Sequence, residues 1–294
     1  MPVVAAIVAS VLLGAVPFFA KHLYVAGLKP ESLLFLRYWL ALLLMIPCAV
    51  IWRPRSIKSA FGASGLILWM DAAFLGTIQT YCFFEAVRTG PSSIPVICLF
   101  CFPPIILAIE RVMGRTVPLT DFVCAAVVLG GAITAISPTI NGELNIHALV
   151  FAFASPWFYS VYLLIAAPRM RELDPLIGAI LVYLGLGSGY ALVVLGTGLA
   201  LPHNIEEWTY MVVIALFGGA IASALITFSV PRLGPGGYGI IGTTEVVTVV
   251  AFGALLLGEQ LTAVRVLGIV AVCVGMILYA MRKKRASTGS IPSV

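Results

Sequence analysis

Charged residues are scarce in this sequence. Asp, Glu, Lys and Arg make up 10% of its 294 residues, where an average soluble domain carries ~25%. Hydrophobic residues reach 61% and the mean hydropathy is +1.10, which excludes a single water-soluble core inside a polar skin. A polar stretch long enough for a separate soluble domain is also missing; the tail after Met281 has thirteen residues. The alternation of barrel strands, about 10 residues per pass, is absent. So are an HExxH helix, a Walker-type phosphate loop and an acidic metal cluster, which leaves no cofactor and no metal to expect. The first segment lacks a basic n-region and a small-residue cleavage site, so it reads as a retained helix.

What is present is a series of apolar runs. A spanning helix needs roughly 20 mainly apolar residues, and ten stretches fit: 3–23, 32–52, 62–82, 91–111, 120–138, 147–167, 175–199, 209–231, 235–257 and 263–281. The expected fold class is an all-α polytopic membrane protein with ten transmembrane helices, and the lipid bilayer is its first partner. With ten spans, one side carries Arg53, Arg55, Lys58, Arg111, Arg115, Arg169, Arg171, Arg232, Arg282, Lys283, Lys284 and Arg285. The other carries Lys21, Lys29, Arg88 and Arg265, with Arg37 inside a span. Twelve against four is a strong positive-inside bias, so both termini are expected in the cytoplasm and the protein in a bacterial inner or plasma membrane. The net charge of +5 is then a topology signal facing anionic lipid; it does not call for nucleic acid. Six cysteines lie almost wholly within spans, and the CxxC of Cys98 and Cys101 sits mid-span, where small packing residues are the plain reading. Nothing in the sequence specifies an oligomeric state.

The chain repeats itself. RTGP at 88–91 returns as RLGP at 232–235, 144 positions on. Arg88, Gly90, Pro91, Ile97, Gly114, Val128, Gly131 and Ile133 meet identical residues at that offset, and Pro30 and Pro175 open the second and seventh spans 145 apart. Two halves of five spans each follow, residues 1–141 and 142–294. Five is odd, so the second half enters the membrane from the opposite side. The halves are then inverted repeats, an architecture of secondary transporters.

Several stretches resemble the EamA-type transporters of the drug/metabolite transporter superfamily. They are LLGAVPFFAK (12–21), LLFLRYWLALLL (33–44), ASPWFYSVY (154–162) and TTEVVTVVAFGALLLGEQLTAVRVLGIVAVCVGMIL (243–278). The sequence departs from the family's pattern at Val246, Arg115 and the tandem Pro103 and Pro104. The resemblance covers nearly the whole chain. It implies a ten-helix exporter or exchanger of small metabolites, often amino acids, with a cavity lined by spans 1, 3, 4, 6, 8 and 9.

An ionisable group at mid-membrane costs on the order of 3 kcal/mol or more unless it faces a cavity or a partner. Asp71 in span 3 and Glu245 in span 9 are such groups. Each is either a protonated packing residue or a cavity group that binds a substrate amine or carries a coupling proton. Gln79, on roughly the same face as Asp71, and Thr244 beside Glu245 are either substrate ligands or helix–helix glue. Lys21 and Arg37 either snorkel to the interface or pair with an acid or a substrate carboxylate. Phe18, Trp157 and Tyr159 are candidates for the aromatic wall of a substrate site. Pro91, Pro103, Pro104 and Pro235 interrupt or open spans 4 and 9, and with Arg88 and Arg232 they mark expected hinges or gates.

One enzymatic motif is a decoy. GASG at 62–65 fits the GxSG of intramembrane serine proteases, which need a histidine within hydrogen-bond reach of the serine. His22, His147 and His203 fall at or near helix ends, the first two on the face opposite Ser64. The expected function is therefore a non-enzymatic secondary transporter exporting or exchanging a small organic molecule, an amino acid foremost, by alternating access. A multidrug-type cation exporter is the alternative, and an intramembrane enzyme a more remote one.

Overall fold

A computed structural model describes residues 1–89, 93–136, 145–257 and 262–288, and these form helices joined by short connections, without a strand. Among the described residues, eight helices are long and apolar enough to cross a membrane. Seven come in chain order as α1 (Pro2–Val25), α2 (Pro30–Trp52), α3 (Ala63–Thr89), α4 (Ile94–Val112), α6 (Ile146–Glu172), α7 (Pro175–Thr197) and α8 (Ile205–Leu233). The eighth is the apolar part of α11 (Ala263–Thr288). Between them lie the shorter apolar helix α5 (Leu119–Ile136) and two further pieces, α9 (Pro235–Gly242) and α10 (Thr244–Leu257). The expected ninth span is thus broken at Thr243. The boundary between residues 141 and 142 lies outside the described residues.

Local chemistry explains the ends. Pro30, Pro175 and Pro235 each start a helix, where a missing N–H costs nothing and φ is already set. Gly27, Gly198 and Gly234 take positive φ values of 92°, 83° and 79° just past helix ends, a conformation glycine adopts without strain. Spans 3 and 6 run longer than expected, to Thr89 and Glu172. Polar residues lengthen them without breaking the backbone ladder, so hydropathy alone ends them early.

The outer surface is apolar, with Leu43, Ile51, Phe74, Leu192 and Leu267 exposed, as a lipid-facing surface requires. Inside, helices approach through small residues. The closest example joins α5 and α11. A methyl group on Gly131 would stand 2.8 Å from the Val272 nitrogen, and one on Gly275 would stand 2.5 Å from Val128 Cγ2. Gly131 and Gly275 are 144 apart, as are Val128 and Val272, so the contact is reciprocal. Residue and counterpart trade places across it, as in an isologous dimer interface. An Arg282–Asp121 ion pair closes one end of this seam.

Candidate functional site

Four irregular points interrupt the helices, and they come in two pairs. In α3 the backbone widens to a π-turn over Ala72–Gly76, directly after Asp71. In α8 a longer one covers Ile214–Ile221. In α4 the helix breaks at Phe100–Cys101, since Pro103 and Pro104 cannot donate to carbonyls four residues back. Thr243 separates α9 from α10. Starting residues 72 and 214, and break residues 100 and 243, are spaced by nearly the same interval as the sequence repeat. π-turns free a backbone carbonyl and recur at functional sites.

Each π-turn receives a helix from the other half. α7 lays Gly185 against the Trp69 carbonyl and Gly189 against Thr77, leaving no room for a side chain at either glycine. α2 sends Arg37 into the turn of α8, where Arg37 Nη2 donates to the Gly218 carbonyl at 2.6 Å. Tyr183 Oη donates to the same carbonyl at 3.4 Å. Arg37 is 9% exposed, so it does not snorkel to the interface; the carbonyl released by the π-turn gives it an internal partner instead.

Around Arg37 lies a set of aromatic rings. Tyr38 and Tyr183 meet edge to face at 5.1 Å, and Tyr38 lies 5.7 Å from Tyr190. Tyr190 Oη donates to Thr80 Oγ1 at 3.0 Å. Glu245, in the first turn of α10, is half-buried and lies within reach of the Arg37 charge. Tyr159 and Tyr238 neighbour each other and sit in the field of Glu245. Tyr159 packs edge-on against Phe102 at 4.8 Å and stacks on Tyr162 at 6.1 Å. Tyr162 in turn neighbours the Asp71 carboxylate electrostatically. A line of tyrosines therefore runs from Glu245 to Asp71. Asp71 is 7% exposed, and neither carboxylate oxygen has a hydrogen-bond partner among the described residues. The charge acting on it is that of Arg169, near the end of α6.

The arrangement brings Asp71, Tyr159 and Glu245 into one network and leaves other candidates outside it. Gln79 is buried and donates to Ser155 Oγ on α6 at 3.2 Å, with Ser155 returning a bond to the Gln79 carbonyl; it is a helix–helix fastener. Thr244 donates to the Ile241 carbonyl at 2.7 Å and approaches Met276 Sδ at 2.9 Å, so its hydroxyl serves the broken backbone and the packing of α11. Thr243 does the same for Gly239 and Ile240. Trp157 is 57% exposed and belongs to an outward stripe with Val150, Phe153 and Val161. That stripe is opposite the face of α6 that carries Tyr159, so Trp157 stands outside the tyrosine network. Phe18 is half-buried in an aromatic group with Phe19 and His22 at 5.3 and 5.0 Å.

The hinge candidates divide similarly. Pro103 and Pro104 do follow a break, and Pro235 opens α9. Pro91, like the side chain of Lys21, falls outside the described residues. Arg88 is bonded to Glu85 one turn back, with Nε to Oε2 at 2.8 Å. Arg232 donates to the Phe228 carbonyl at 2.6 Å and lies over the Phe228 ring at 3.9 Å. Each arginine is exposed and held within its own helix, so neither reaches the central network as a gate. Ser64 bonds Glu172 rather than a histidine.

The sequence model of the EamA-like transporter family matches residues 1–137 and again 146–281. The chain belongs to the EamA-like transporter family. A membrane-embedded, helical transporter architecture follows for it, in keeping with a non-enzymatic role. A search of curated proteins returned no match. One solved crystal structure, of a protein without a stated function, superposes on this EamA-like chain with a TM-score of 0.77. It covers 95% of this chain and 97% of its own at 14% identity, a likeness of fold alone.

Sequence reasoning missed Tyr38, Tyr183 and Tyr190. One signal was available: Tyr38 and Tyr183 share the 145-residue spacing of Pro30 and Pro175.

Proposed function

We propose that this chain is a secondary transporter that exports or exchanges a small zwitterionic metabolite, an amino acid foremost, by alternating access. It does so through ten membrane passes, counting α5 and the broken α9–α10 pair. The halves, residues 1–141 and 142–294, are inverted repeats with both termini in the cytoplasm of a bacterial inner or plasma membrane. The observation that carries this reading is the pairing of helix irregularities, two π-turns and two breaks at repeat-related positions, around buried Arg37 and Asp71 and half-buried Glu245. Broken helices at matching places in two halves mark the substrate site of such transporters. The reciprocal α5–α11 contact supports the inversion.

In this reading Arg37 takes the substrate carboxylate and Glu245 its ammonium. Tyr159, Tyr162 and Tyr238 wall the side chain, and Asp71, apart from both, carries the coupling proton. The alternative of an aromatic cation exporter draws on the tyrosines around Glu245, since ring faces attract cations. Counterflow in liposomes separates the two. Loaded amino acid exchanges with external labelled amino acid under the first reading, and aromatic cations compete only under the second. A chain that exchanges neither would overturn both. Labelling of single cysteines introduced at Arg55 and Arg88 in intact cells tests the topology.

A further inference from the structure

A groove of about 410 Å³ lies between α2, α3 and α7, and none of the central tyrosines lines it. Its walls are apolar side chains, among them Ile46 and Val50 of α2, Trp69 of α3, and Ile180 and Leu184 of α7. One end is closed by a 3₁₀ turn, Ile57–Phe61, whose Ile57, Ala60 and Phe61 also line it. Gly65 lies so close to the Ala60 carbonyl that no side chain fits between them, which ties the turn to α3. Val50, Leu66 and Phe61 are exposed, so the groove opens sideways to lipid.

Its rim is basic. Arg53, Arg55 and Lys58 occupy the same short connection and are all exposed. Arg53 leans 3.5 Å toward Asp174, the residue that caps α7. Glu172, the other acid nearby in sequence, bonds Ser64. Arg55 and Lys58 form no ion pair among the described residues.

We infer that this groove is a binding site for an anionic phospholipid of the leaflet on the Arg53–Lys58 side. An acyl chain fills the apolar slot and the phosphate meets Arg55 and Lys58. Basic rims over helix clefts recognise lipid headgroups in this way. The apolar walls offer nothing to a free phosphate, and the cations disfavour a zwitterionic headgroup whose amine they would face. The site has a structural consequence. Trp69 precedes Asp71 by two residues, and α7 is the helix that presses on the neighbouring π-turn, so an occupied groove braces α3 and α7 together.

Thermal unfolding of the purified full chain in neutral detergent tests this, with phosphatidylglycerol, phosphatidylcholine or inorganic phosphate added. Phosphatidylglycerol is expected to raise the Tm by at least about 3 °C more than phosphatidylcholine, and phosphate to do nothing. Arg55→Gln with Lys58→Gln should erase the difference between the lipids. Val50→Trp, which fills the open side of the groove from an exposed position, should abolish protection by both. Equal protection by the two lipids in the wild type would overturn the proposal, as would protection by phosphate alone or an advantage that survives the double variant. Should Val50→Trp fail to fold, native mass spectrometry decides. The wild type retains phosphatidylglycerol through detergent removal and the Gln double variant loses it; equal retention by the two proteins sinks the site.

Discussion

Tyr38 and Tyr183, 145 residues apart, meet edge to face with ring centroids 5.1 Å apart and planes at 87°. They are counterparts at the spacing of Pro30 and Pro175. A residue that touches its own counterpart lies close to the axis relating the two copies. Tyr183 alone turns its hydroxyl to the Gly218 carbonyl. Tyr183→Phe should therefore cost about 1 kcal/mol through the lost bond, and Tyr183→Ala about 3–5 kcal/mol through the cavity left behind. Thermal unfolding in detergent measures both, and equal losses would mean the ring does not pack at the centre.

Arg37 bridges the second helix and the eighth through a single carbonyl. Arg37→Lys keeps the charge but loses the planar donor fork. Exchange of carboxylate-bearing substrates should fall at least about 10-fold, the equivalent of about 1.4 kcal/mol, while amine-only compounds are spared. Counterflow with an amino acid and with its decarboxylated amine gives the comparison. Equal losses for both compounds would make Arg37 structural only.

The proposed roles of Glu245 in binding and Asp71 in coupling make separable predictions. Glu245→Gln should lose exchange of amine substrates. Asp71→Asn should keep exchange at equal pH on both sides and lose accumulation driven by an imposed proton gradient. The wild type is expected to respond to the gradient and the variant is not. An Asp71→Asn protein that still accumulates substrate with the gradient removes Asp71 from the coupling step.

The α5–α11 seam has no spare volume. A methyl group on Gly268 would lie 2.7 Å from the Gly131 carbonyl oxygen, whereas one on Gly130 meets nothing within 4 Å. Gly268→Ala should destabilise by about 1–3 kcal/mol through overpacking. Gly130→Ala should be neutral or mildly stabilising, because alanine is the better helix former. Unfolding midpoints that fall equally for both would contradict the packing.

Much of this architecture was legible in the sequence because the signals were local. Proline at helix starts and apolar runs of spanning length depend on neighbours alone, and the 144-residue repeat is legible by laying the sequence against itself. The π-turns were not legible: AAFLG and IALFGGAI read as ordinary helix, and only the helices pressed against them select the wider winding. Trp157 and Tyr159 show the limit of a motif without a rotation angle. Two residues apart on an α-helix, they point about 200° away from each other, so one aromatic stretch supplies both a lipid face and the central network. Arg37 was ambiguous for the same reason, since its partner carbonyl is 181 positions away.

The counterpart of Arg37 at the 145-residue spacing is Val182, so a charge stands on one side of an otherwise paired arrangement. Separating α2 from α8 breaks an ionic hydrogen bond in the interior; separating α7 from α3 breaks the neutral Tyr190–Thr80 hydrogen bond and parts small and apolar groups. Under the proposed alternating access the two open forms are expected to be unequal in energy, with a preferred resting direction. Arg37→Val should level that preference, seen as similar labelling rates for cysteines placed at the two mouths. A variant that keeps the wild-type ratio would locate the asymmetry elsewhere.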